Sequence, residues 1–185
     1  MERPSARRFM AGLNLLVTGK PGIGKTTLVE RVVDQVRGSL RLAGFTTTEM
    51  RGPAKERLGF RIVTVDGKQG ELARVGLRSP VRVGRYGVTL EAFERLALPE
   101  LARPDVDLIV IDEIGKMECA SGQFCRAVED ALDGRVHVLA TLGISHTPFL
   151  RAVRERRDVE LLNLTEQNRD GLVTELCARL KKVSG

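Results

Sequence analysis

Apolar positions along the chain fall into short continuous runs separated by stretches of helical period. Leu13 to Thr18 is one such run, closed by Gly19, which is the pattern of a strand buried on both faces. Lys25 to Val36 follows with Leu28, Val29, Val32, Val33 and Val36 on one broad face, predicting an amphipathic helix that ends at Gly38. Val106 to Ile111 reads as a central parallel strand. Further strands are predicted at Val136 to Thr141 and Val159 to Leu164, with helices around Gln123 to Leu132, Pro148 to Arg156 and Asn168 to Val183. Strands alternating with helices in this way predict an α/β fold, a mostly parallel sheet flanked by helices.

One stretch breaks the alternation. Leu42 to Met50, Gly59 to Asp66 and Gln69 to Val75 read as three strands in succession, and Asp66-Gly67 is a hairpin signal. An antiparallel strand and hairpin insertion over approximately residues 42–88 is therefore expected. Thr89 to Ala102 is helical, with Leu90, Phe93, Leu96, Ala97 and Leu101 on its apolar face; Pro99 inside it predicts a kink or an early end. The 185 residues suit a single domain, 1–185, which includes a basic N-terminal arm over residues 1–12.

Composition narrows the class of protein. With 42% hydrophobic and 29% charged residues the chain is an ordinary globular one, and the scarcity of aromatics makes the core aliphatic. The net charge of +6 suits a polyanionic ligand, either a nucleotide or a nucleic acid. Arg3, Arg7 and Arg8 carry part of it as a solvated arm. Cys119, Cys125 and Cys177 are odd in number and form no C-x-x-C pair, so they read as reduced thiols. No segment has the length and apolarity of a membrane span, which gives the expectation of a soluble, cytoplasmic protein.

The chemistry is concentrated in two places. Gly19-Lys20-Pro21-Gly22-Ile23-Gly24-Lys25-Thr26 fits the Walker A pattern G-x-x-x-x-G-K-[ST] between an apolar strand and an amphipathic helix, the context that motif requires. Its glycines let successive N–H groups face one concave spot, and the helix start adds positive potential. Lys25 would reach the β- and γ-phosphates, Thr26 would offer a hydroxyl to Mg²⁺, and Thr27 is placed for the α-phosphate. The second place is Leu108-Ile109-Val110-Ile111-Asp112-Glu113, an apolar strand ending in two carboxylates, the Walker B arrangement. Asp112 would serve the metal. Side chains alternate along a strand, so Glu113 would point elsewhere and suit a base that activates water.

Other residues admit two readings each. Lys116 either stabilises charge on the γ-phosphate or is a solvated loop lysine. Thr141 either senses the γ-phosphate and the attacking water or caps a strand. Either one of Arg51, Arg57 and Arg85 closes over the phosphates or all three are surface charge, and spacing alone does not choose. Asn168 and Arg169 open the last helix, where base or ribose contacts sit in open α/β sheets; the bland reading is an N-cap and a surface charge. No N-K-x-D guanine-reading motif occurs. His137 and His146 are isolated, and His137 reads as a satisfied strand histidine.

These residues and several longer strings resemble the cancer-related nucleoside triphosphatase family, with its thermophilic archaeal and bacterial members. The strings are T-G-K-P-G-I-G-K-T-T (Thr18 to Thr27), F-T-T-T-E-M-R (Phe45 to Arg51), R-L-G-F-R-I (Arg57 to Ile62), V-D-G-K-Q-G-E-L-A-R-V (Val65 to Val75), V-G-R-Y-G-V (Val83 to Val88), I-D-E-I-G-K-M-E (Ile111 to Glu118) and L-T-E-Q-N-R-D (Leu164 to Asp170). The resemblance implies a RecA-like P-loop fold and Mg²⁺-dependent hydrolysis of ATP, GTP, CTP and UTP with loose base selectivity. It also implies that Gly19 to Thr26 and Leu108 to Gly115, including Ile114, bind nucleotide, with Glu113 as base. Two alternatives stay open: a small-molecule kinase with the insertion as acceptor lid, and a nucleotide-gated nucleic-acid-binding protein.

Overall fold

A computed structural model of the chain describes residues 12–183, so the basic arm with Arg3, Arg7 and Arg8 lies outside the described residues. Among them, nine strands form one sheet. In chain order the elements are β1 (Asn14–Thr18), α1 (Lys25–Val36), β2 (Leu42–Arg51), β3 (Arg57–Thr64), β4 (Gln69–Val75), β5 (Arg82–Val83) and β6 (Tyr86–Val88). Then follow α2 (Leu90–Leu101), β7 (Leu108–Ile114), a 3-10 turn at Glu118–Ala120, α3 (Gly122–Asp133), β8 (His137–Leu142), α4 (Pro148–Glu155), β9 (Val159–Asn163) and α5 (Arg169–Val183).

The sheet order is β5-β6-β4-β3-β2-β7-β8-β1-β9. From β2 to β9 neighbouring strands are parallel, and from β2 outward to β5 they are antiparallel. The sheet is thus mixed rather than mostly parallel, and the antiparallel strands continue it instead of forming a separate lid. Nothing local in the sequence indicates which edge a hairpin joins, so this feature was not legible there. The two- and three-residue strands β5 and β6 were not anticipated either, being too short to show a period. Pro99 falls in the last turn of α2, and the helix runs through it to Leu101, so the early end expected there does not occur.

Both faces of the parallel strands are covered, which explains their continuous apolar runs. Leu15 and Val17 face α1 and α5 in one core with Val29, Val32 and Leu176. Leu16 faces the other, with residues of α2, α3 and α4. That second core is centred on three fully buried rings: Phe45 meets Phe93 edge-on at 5.6 Å, and Phe93 meets Phe124 at 5.1 Å. Two other sequence expectations hold. His137 Nδ1 accepts a hydrogen bond from Leu13 N at 2.9 Å, and the three cysteines are free thiols.

Gly44 marks the tightest approach in the sheet. It stands opposite Val110 in the β2–β7 pair with φ +114°, and a Cβ there would overlap the Val110 carbonyl. Its N–H donates to the buried Glu100 carboxylate at 3.1 Å.

Truncating Phe93 to Ala is expected to cost about 3–5 kcal/mol of stability, read from urea unfolding, because the ring is fully buried.

Candidate active site

The Walker segments meet at the carboxyl ends of β1 and β7, which are separated in the sheet by β8. Between β1 and α1 the chain turns through Gly19, Gly22 and Gly24, all at positive φ, so the loop takes a path that L side chains rarely adopt. Gly24 is the N-cap of α1, no side chain caps it, and the first turn holds no acid among the described residues. Its free amides and helix dipole are left facing outward, ready for an anion. The Lys20 carbonyl accepts from Ile23 N at 3.2 Å, and Ile23 packs on the core beneath the loop.

Lys25 reaches back over the loop. Its Nζ donates to the Gly19 carbonyl at 3.3 Å and lies 4.0 Å from Glu113 Oε2. Asp112 is buried at the end of β7 and accepts two hydrogen bonds, from Thr26 Oγ1 to Oδ2 at 2.8 Å and from Thr141 Oγ1 to Oδ1 at 2.6 Å. Burial raises its pKa; the two hydroxyls and Lys25 oppose the rise. Thr141 is therefore an Asp112 partner rather than a residue aimed at a phosphate. Burial likewise lifts the Glu113 carboxyl above its usual range, with Lys25 opposing and Asp112 adding.

A cleft of about 380 Å³ opens beside this cluster. It is lined by Pro21, Gly22, Lys25, Thr26, Asp112, Glu113 and Lys116, by Thr47 and Glu49 of β2, by Arg57, Phe60 and Val83 of the antiparallel edge, and by Gly143 and Ile144. Arg154 donates to the Gly143 and Ser145 carbonyls. A second groove with Gly22, Gly24, Thr27, Thr47, Thr48 and Glu49 runs along the loop.

Several sequence expectations need correction. Leu108, Ile109, Val110, Ile111 and Ile114 are core residues that position Asp112 without lining the cleft. Pairing of β7 with β8 shifts between Ile111 and Ile114, so strict alternation does not run through Asp112 and Glu113, and both carboxylates line the same cleft. Asn168 and Arg169 line neither the cleft nor the groove. Asn168 is spent locally, accepting from Thr165 N at 2.8 Å and donating to the Asn163 carbonyl at 2.9 Å.

Sequence reasoning also missed Glu118. Its carboxyl is buried in the cleft wall, and burial pushes its pKa up to about 8, backbone amides at Glu118 and Gly115 offsetting this only in part. A Cβ on Gly115 would sit 2.7 Å from both Glu113 Oε1 and Glu118 Oε2, so the two oxygens are no more than twice that apart. The available signal was an acid directly after an apolar Met117, just beyond the strand.

The sequence profile of the family described as NTPase matches residues 14–177. The chain belongs to this NTPase family. Nucleoside-triphosphatase THEP1 of Thermotoga sp. (strain RQ2) is 43% identical over 171 residues, covering 91% of this chain and 96% of the relative. The human cancer-related nucleoside-triphosphatase is 38% identical over 180 residues, covering 88% and 94%. The crystal structure of THEP1 from Aquifex aeolicus superposes with a TM-score of 0.80 at 37% identity, over 91% of this chain and 99% of that one. The solution structure of the human protein gives 0.78 at 37%, over 91% and 97%. As a member of this NTPase family the chain is a nucleoside-triphosphatase, and a nucleoside triphosphate is its substrate. No helix among the described residues is long and apolar enough to cross a membrane.

Because the unfolded carboxyl of Glu118 titrates near its ordinary 4.5 and the folded one near 8, folding takes up a proton between those values. Stability therefore falls as pH rises through that window and levels off above it. Replacing Glu118 by Gln should flatten the slope. Relative to wild type it should be neutral near pH 5 and stabilising by several kcal/mol at pH 8, measured by urea unfolding without metal or nucleotide.

Proposed function

We propose that this NTPase hydrolyses nucleoside triphosphates in an Mg²⁺-dependent reaction with loose base selectivity, using Glu113 as general base. It would work as one domain over residues 1–185 with a RecA-like arrangement of its Walker segments. The observation that carries this reading is the placement of Glu113 in the cleft wall, 4.0 Å from the Lys25 ammonium and beside an Asp112 already bonded to Thr26.

The donor set suits the metal. The Thr26 hydroxyl and the Asp112 carboxylate are hard oxygen ligands, and among the described residues no cluster of three or more His, Cys, Asp or Glu offers a rival metal cage. Mg²⁺ is normally held by one or two protein oxygens together with substrate phosphates. When bound, it would neutralise charge on the β- and γ-phosphates.

The remaining steps fall to the chain itself. The free amides of the phosphate loop and the α1 N-terminus hold the phosphates, and Lys25 places its charge against the β- and γ-oxygens. Glu113 accepts the proton of a water that attacks the γ-phosphorus, as the bond from phosphorus to the bridging oxygen breaks and the diphosphate leaves. Lys116, exposed on the cleft rim, is available to the charge developing on the γ-phosphate. Recognition resting mainly on phosphate contacts leaves the base little read, so ATP, GTP, CTP and UTP should all turn over. Asn168 would act on the base side only if it left its present local bonds, and Arg169 is exposed at the start of α5. The cleft extends past the loop to Phe60 and Val83, room that a kinase would use for an acceptor. A carboxylate beside Lys25 argues for water as the nucleophile instead.

The test is phosphate release from the four triphosphates with Mg²⁺ and no acceptor. Glu113→Gln should lower kcat by at least about a hundredfold while nucleotide still binds, and Lys25→Ala should weaken both. Turnover that requires an added hydroxyl acceptor would move the reading to the kinase. The wild-type rate should also fall on acidification with an apparent pKa above the ordinary carboxylate value, since Glu113 must be ionised to accept the proton.

A further inference from the structure

Three arginines near the antiparallel edge are equivalent in the sequence, but the structure separates them. Arg57, the first residue of β3, lines the cleft together with Lys25, Thr26, Asp112 and Glu113; Arg51 and Arg85 do not. Arg51 donates to the Lys55 carbonyl at 3.1 Å and pairs with Glu49, without lining the cleft itself. Arg85 lies over the Tyr86 ring at 5.3 Å and donates to the Arg57 carbonyl at 2.9 Å.

Arg57 is held by two contacts. Its guanidinium lies 5.6 Å from the centre of the Phe60 ring and pairs with Glu49 Oε1. The other oxygen of Glu49 pairs with Arg51. Glu49 itself lines both the cleft and the groove along the phosphate loop. A carboxylate there opposes an incoming triphosphate, and unlike Asp112 and Glu113 it has no evident place with metal or water. Its visible work is to hold a guanidinium at the edge of a phosphate site.

We propose that Arg57 is the arginine finger of this NTPase, supplied in cis. In the absence of nucleotide it is stored on Glu49, and a bound triphosphate draws it onto the γ-phosphate oxygens. The inference rests on the hydrolase reading given above. The exchange is cheap. Both partners of the Glu49–Arg57 pair are partly exposed, and ion pairs in such positions contribute little to stability. Arg51 stays on Glu49 after Arg57 leaves, so no carboxylate is stranded. The Arg57 backbone is pinned opposite Arg51 in the β2–β3 ladder and by Arg85, which leaves the side chain as the moving part. A guanidinium suits the task better than an ammonium because its planar fork can bond two phosphate oxygens at once.

The experiment is steady-state phosphate release by wild type, Arg57→Ala, Arg57→Lys, Lys116→Ala, Glu49→Gln and Arg61→Ala. Arg61 is the control: it is exposed on the same strand, bonded to Gln69 and outside the cleft. Folding of each variant is checked by thermal unfolding. Arg57→Ala and Arg57→Lys should lose about a hundredfold or more in kcat with KM changed only a few fold, since the contact made on binding strengthens mainly as charge develops in the transition state. Guanidinium ion at non-denaturing concentration should restore part of the Arg57→Ala rate, a rescue that a merely structural arginine would not show. Glu49→Gln should lower KM, because it removes a negative charge from the triphosphate's path. Wild-type turnover with an Arg57→Ala kcat within about threefold of it, or a large loss in Lys116→Ala alone, would overturn the assignment and leave the hydrolase reading standing. Absence of acceptor-free turnover in wild type would remove the hydrolase reading and the finger with it.

Discussion

A carboxylate cannot stay dry inside a protein without partners, and the way Asp112 finds its partners organises everything around it. The two hydroxyls that bond it come from different elements, Thr26 from the first turn of α1 and Thr141 from β8. Satisfying one buried acid therefore pins the phosphate loop to the sheet. The strand registers reinforce this, with Val17 of β1 opposite Thr141 and Ile111 of β7 opposite Ala140. The apolar run from Leu108 to Ile111, itself core, presents that carboxylate at a fixed height.

The antiparallel edge gives the site part of its wall. Because β3, β4 and β6 extend the sheet from β2, residues near one end of β2 and β3 line the cleft together with the phosphate loop. A separate lid would need a hinge to bring Glu49, Arg57 and Phe60 there. Here a continuous hydrogen-bonded ladder carries their backbone, and motion is left to side chains.

Legibility in the sequence followed the range of the forces involved. The phosphate loop, its helix and the carboxylate-ended strand were readable because glycine placement, period and strand ends are local properties. The Asp66-Gly67 turn between β3 and β4 was readable for the same reason. What escaped depends on partners far away in the chain. Thr141 acquires its role from an acid 29 residues earlier. Arg57 differs from Arg51 and Arg85 only by which way each is drawn. Glu118 becomes an unusual acid only once the cleft wall closes over it. The break in alternation at Asp112 and Glu113 belongs to the pairing with β8, which no pattern within β7 discloses.

The sheet order also bears on how the protein comes into being at the ribosome. β1 is the first strand to be made, yet its hydrogen-bonded neighbours are β8 and β9, the last two. Asn14 must wait for Val138 and Val159. The hairpins of β2, β3 and β4 can assemble early from neighbouring chain, whereas the strand that feeds the phosphate loop stays unpaired through most of synthesis. A nascent chain would thus carry a complete nucleotide-binding motif for a long interval before it has any nucleotide-binding site.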